Sequence, residues 1–212
     1  ENAQGLAPLE RAARIGRALG DPALIADVEA GLGWCHKELG DRAATLAHFQ
    51  AGAAAAEASG DGRALGMALH NLGIIPSDFD HDHRAALQWF ERAIDAQRRA
   101  GYPGLAYSLD AAGEMESSLG LAKALDRHQE ALILRRQLKS VRGEAQTLIS
   151  LGNAATRLGQ PEEAIAPLIR SAELLASVGD RTWEAYAYER LGLAELARGL
   201  EGVEVEPRGQ RA

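Results

Sequence analysis

The chain has one cysteine, Cys35, so no internal disulfide framework can form, and such sparing use fits a reducing cytoplasm, where the protein is expected. No stretch approaches the ~20 apolar residues of a membrane helix. The first residues, Glu1-Asn2-Ala3-Gln4, are neither basic nor followed by an apolar secretory segment. Positive charge is in deficit: 23 Lys and Arg stand against 30 Asp and Glu, a formal charge of −7. General attraction to a phosphate backbone is therefore not expected, and direct nucleic-acid binding is set aside. The chain does not start with Met, which leads us to expect a piece of something larger, and its richness in Ala, Gly and Arg suggests a GC-rich bacterial source.

Catalytic motifs are missing as well. There is no Gly-x-Ser-x-Gly elbow and no His-Glu-x-x-His pair. Gly60-Asp61-Gly62-Arg63-Ala64-Leu65-Gly66 has the glycines of a nucleotide loop but the wrong spacing and no strand before it. Cys35 and His36 are neighbours on a predicted helix, where adjacent side chains diverge by about 100°, so they form no dyad. No enzyme, no cofactor and no committed metal site follow from these residues.

What is present is a period. Gly33, Gly73, Gly113, Gly152 and Gly192 recur at steps of 40, 40, 39 and 40 residues. Strong stops fall at Gly20-Asp21, Gly60-Asp61, Gly101-Tyr102, Ser140-Val141 and Gly179-Asp180, where a glycine ends one helix and an acid or hydroxyl can cap the next. Weaker breaks lie between them at Gly40-Asp41, Asp80, Gly120, Gly159 and Gly199. Each unit is thus a pair of helices. First helices are predicted at 22–39, 62–77, 103–119, 142–158 and 181–198, and second helices at 42–59, 83–100, 122–139 and 161–178. The units run 21–60, 61–101, 102–140 and 141–179, with half units at 5–20 and 180–199, in one array over 1–199. A tail at 200–212 has no helical period and is expected to be disordered.

Small residues mark where helices cross: the recurring Gly in first helices, and pairs seven apart in second helices, Ala44/Ala51, Ala86/Ala93, Ala124/Ala131 and Ala164/Ser171. A larger side chain there would force the helices apart. Leu32, Leu72, Leu151 and Leu191 fill the space beside the Gly, with Ala112 in that place in the third unit.

These features together, Leu/Ala-Gly, a Gly-ended turn seven residues on, the small pair in the second helix and a Gly-Asp end, resemble tetratricopeptide repeats. The 40-residue spacing is similar to the longer form found in C-terminal regions of bacterial regulatory proteins. The resemblance implies an all-α, right-handed α-solenoid that binds a peptide or protein segment in a concave groove lined by first helices, as the sensor or scaffold region of a larger regulator. Where an aromatic is common late in the first helix, this sequence has His36, Pro76, Glu116, Ala155 and Glu195. Counting from each Gly places the groove candidates at Trp34, Met67, His70, Ile74, Tyr107, Asp110, Glu114, Asn153, Arg157, Tyr186 and Glu189. Acids mixed with aromatics and Met suit a basic or amphipathic partner. Only Asn153 and Arg157 resemble the Lys, Arg and Asn set that grips a C-terminal carboxylate, and with Asp110 and Glu114 nearby such a clamp is not expected.

Three further stretches stand out. In Pro76-Ser77-Asp78-Phe79-Asp80-His81-Asp82-His83, Pro76 should kink or end its helix. Asp80 or Asp82 should cap the next one, and the alternative reading is a small-molecule or metal sensor using His81 and His83. A basic run, Arg127, His128, Arg135, Arg136, Lys139 and Arg142, reads as a solvated convex face. The helix at 181–198 is apolar on several sides, with Trp183, Tyr186, Tyr188, Leu191, Leu193 and Leu196, and with no second helix predicted after it, either the array is cut short here or this end packs against another domain or, by self-association, a copy of itself.

Overall fold

A computed structural model describes residues 2–201, and every regular element among them is helical. In chain order the α-helices are α1 (Asn2–Leu19), α2 (Pro22–Glu38), α3 (Arg42–Ser59), α4 (Gly62–Ile74), α5 (His83–Ala100), α6 (Leu105–Ser118), α7 (Ala124–Gln137), α8 (Val141–Arg157), α9 (Pro161–Ser177) and α10 (Arg181–Glu201). None is long and apolar enough to cross a membrane among the described residues. The tail read over 200–212 lies outside the described residues from 202 on, and its first two residues close α10.

The predicted stops work as capping chemistry says they should. Gly60 takes a left-handed φ of 70°, and the Asp61 carboxylate accepts from the Arg63 N–H at 2.8 Å. Asp21, Asp41 and Asp82 cap α2, α3 and α5 in the same way, so of the two acids proposed for α5 the cap is Asp82, at 3.0 Å from the Ala85 nitrogen. The break at Ser140 is built differently: Lys139 supplies the left-handed residue at φ 53°, and the Ser140 hydroxyl accepts from the Gly143 N–H.

Each helix packs against its sequence neighbours, and contacts also join α2 to α4, α6 to α8 and α8 to α10. His70 of α4 also meets Ser108 of α6, so the even-numbered helices share a face. The recurring Gly explains the fit within each pair. A Cβ on Gly33 would lie 2.3 Å from the Phe49 ring, on Gly73 2.6 Å from Phe90, on Gly113 2.8 Å from His128, and on Gly152 2.6 Å from Leu168. Phe49, Phe90, His128 and Leu168 are thus one structural position, a side chain seated over a bare helix surface, and all four are buried. Seven residues later comes a second buried position held by Ala56, Gln97, Arg135 and Leu175. Larger occupants there need room opposite: Gly66 yields to Gln97 and Gly143 to Arg135, with added Cβ atoms at 2.5 and 2.8 Å from them. At Gly192 nothing lies within 4 Å.

Pro76 acts as expected, though through an unusual geometry. It has no N–H, and its ring clashes with the carbonyl four residues back, so the α-ladder stops at Ile74. The chain widens into one π-helical turn, Ile75–Phe79, in which the Asp80 N–H donates to the Ile75 carbonyl at 3.3 Å. Ile75 and Pro76 are buried by this turn.

Candidate functional site

Two clefts on the face shared by the even-numbered helices gather most of the predicted residues. The first, of about 190 Å³, is walled by Trp34 of α2, Met67, His70 and Asn71 of α4, Gln97 of α5, and Tyr102, Gly104 and Tyr107 around the start of α6. It gathers four predicted residues: Trp34, Met67, His70 and Tyr107. Trp34 stands edge-on to Phe49 with ring centroids 5.9 Å apart, and the Tyr102 hydroxyl donates to the Met67 sulfur at 3.0 Å. Tyr102 was not among the candidates, yet the sequence marks it, because it replaces the capping acid that follows the stop glycine in three other units. The Arg135 guanidinium lies 3.8 Å from the Tyr107 ring centre and fixes that wall.

His70 packs on Phe90 at 5.2 Å between ring centres, and its Nδ1 lies 3.1 Å from the Ser108 hydroxyl. Burial pushes its pKa down from the ordinary 6.5 to about 4, with Asp78 opposing weakly, so this wall is uncharged near neutral pH. Below pH 6.5 the unfolded chain takes up a proton that the folded chain refuses until about 4. Stability is therefore lost as pH falls across that window, and the loss reaches about 3 kcal/mol at roughly 1.4 kcal/mol per pH unit. His70→Gln should lose about that much less stability between pH 7 and pH 4, measured by urea denaturation. Equal losses in both proteins would contradict a His70 held neutral in the fold.

The second cleft, of about 200 Å³, lies between α6, α8 and α10 and gathers Glu114, Asn153, Arg157 and Tyr186, with Ser117, His128, Gln146, Ile149, Ser150 and Trp183. Arg157 donates to the Ser117 and Ser118 hydroxyls at 2.9 and 3.2 Å. Trp183 and Tyr186 meet edge to face at 5.5 Å.

Three predicted residues stand apart from both clefts. Ile74 is half-buried against core residues on both sides of α4 rather than open to the groove. Glu189 is exposed and pairs with its neighbour Arg190 at 3.0 Å. Asp110 is not free for a partner: one oxygen is 3.0 Å from His128 Nδ1, and the other accepts from the Thr147 hydroxyl at 2.7 Å with an Arg135 nitrogen at 3.9 Å. This network ties α6, α7 and α8 together between the clefts.

The basic run is therefore not one solvated face. His128 and Arg135 are buried, Arg127 pairs with Glu91 and Glu116, Arg136 with Glu144 and Arg142 with Asp180. In the Pro76–His83 stretch the acids are likewise engaged. Asp78 meets Lys37 at 3.0 Å, the Arg42 guanidinium grips Asp80 through two bonds and holds its carboxyl below the usual range, and Asp82 caps α5. Among the described residues no three His, Cys, Asp or Glu converge as metal ligands would.

No protein-family model matches the chain, and no curated protein matches it. Among solved structures it is similar to the crystal structure of BtubC (BKLC) from P. vanneervenii, at 16% identity and a TM-score of 0.62, covering 100% of this chain and 96% of that one. At that identity the likeness is one of fold, and it says that the helix order and packing of this chain recur, end to end, in another protein.

Proposed function

We propose that the helix pairs form a right-handed α-solenoid of tetratricopeptide type, and that the chain is a non-enzymatic interaction module of a larger bacterial regulator. The even-helix face is its concave side, and it receives a peptide or protein segment of basic or amphipathic character in the cytoplasm. The observation that carries this reading is the first cleft: Trp34, Met67 and Tyr107 stay 37%, 44% and 58% exposed around one concavity. Large apolar groups left open in a cleft are the kind of anchor point on which partners spend most of their contact energy. Tyr102 and Arg135 hold two of these side chains in place, so little ordering is needed on binding. The net charge of −7 favours approach of a basic segment.

The test is a peptide-display selection against the whole chain. For peptides so obtained, Tyr107→Ala and Met67→Ala should each weaken binding about tenfold or more with thermal unfolding nearly unchanged. Peptides that bind both variants as tightly as the parent chain would remove the first cleft as the anchor.

A further inference from the structure

We infer that the second cleft is a separate site for a small zwitterion of the α-amino-acid type, a function that goes beyond peptide capture in the first cleft. The floor of this cleft is a histidine in an unusual state. His128 is 1% exposed, and its ring fits only because Gly113 above it has no side chain. Its Nδ1 faces Asp110, an acceptor-only carboxylate that already holds Thr147 and lies near Arg135, so Nδ1 donates there and only Nε2 is left over. That Nε2 is buried and has no partner among the described residues. A buried polar nitrogen left unmatched is unfavourable, so the packing under this floor is sensitive to what occupies the cleft above it.

The rim of the cleft sets the ligand's charges. Arg157 is fixed by two neutral hydroxyls, Ser117 and Ser118, which orient its guanidinium without cancelling its charge. Glu114 lines the same cleft, and no cation lies within ion-pair distance of it among the described residues. A simple anion drawn to Arg157 would face Glu114, and a simple amine drawn to Glu114 would face Arg157. A molecule with an ammonium at one end and a carboxylate at the other meets Glu114 with its N–H groups, and Arg157 and Asn153 with its oxygens. Trp183 and Tyr186 leave an apolar wall for the side chain. The cleft of about 200 Å³ has the scale for this, since a cavity of about 150 Å³ takes a benzene ring.

The experiment is isothermal titration of the whole chain with L-phenylalanine, with 3-phenylpropionate and phenethylamine as probes that lack the ammonium or the carboxylate. L-Phenylalanine should bind, and each analogue should bind at least tenfold more weakly. Glu114→Gln and Arg157→Gln, both at exposed positions, should each weaken L-phenylalanine at least tenfold without lowering the melting temperature. The ring ¹⁵N spectrum gives an independent readout: the resonances of His128, on the floor of the cleft, should shift when L-phenylalanine is added. Absence of binding, equal binding of either analogue, or binding indifferent to both variants overturns the proposal. Peptide binding at Trp34 and Tyr107 is read by other variants, so the two functions fail separately.

Discussion

Replacing Gly33 with alanine is expected to lower the unfolding free energy by about 1–3 kcal/mol, whereas the same replacement at Gly192 should raise it by about 0.5–1 kcal/mol. Both residues occupy one position of the repeat, and the single difference is what lies above them. The added Cβ at Gly33 would sit 2.3 Å from two ring atoms of Phe49, a side chain sealed in the core between α2 and α3. Neither helix can give way alone, because α3 also packs on α4. At Gly192 the new methyl group meets nothing within 4 Å, so only the intrinsic preference of helices for Ala over Gly remains. Urea denaturation of the two variants beside the parent chain checks both signs. A neutral Gly33→Ala would mean that the seating of Phe49 over α2 is not what spaces the pair.

Asp110→Ala should cost about 3–5 kcal/mol. The carboxylate is the common partner of His128, Thr147 and Arg135, contributed by α7 and α8. Removing it leaves a buried imidazole N–H and a buried guanidinium without a counter-charge, and the groups left behind set the cost more than the lost bonds do. Thr147→Ala removes one neutral partner and should cost about 1 kcal/mol. Equilibrium denaturation of both variants tests the ranking. A loss below about 1 kcal/mol for Asp110→Ala would show that Arg135 and His128 find other partners and that the network is not what joins α6, α7 and α8.

Much of this architecture was legible in the residues. The Gly period located every helix pair, and the Gly-Asp stops located four of the caps, because backbone constraints are local and repeat with the chain. The groove candidates came from the same counting, and eight of the eleven line two clefts. Ile74 does not, since the π-turn at Pro76 rewinds the end of α4 and the residue closes onto the core. Asp110 was misread because its partners lie on α7 and α8, which periodicity on α6 alone does not reveal. The basic run shows the clearest failure: residue type was weighed above register. His128 stands where Phe49, Phe90 and Leu168 stand, and Arg135 where Ala56, Gln97 and Leu175 stand. Aligning second helices by register would have buried both and pointed to the polar floor of the second cleft.

The most direct measurement of the central claim is an amide NMR map of this chain bound to a peptide from the display selection. The account predicts that perturbed residues lie on the even-numbered helices and peak around Trp34, Met67, Tyr102 and Tyr107. Perturbations concentrated on α3, α5, α7 and α9, or confined to the exposed apolar side chains of α10, would contradict it.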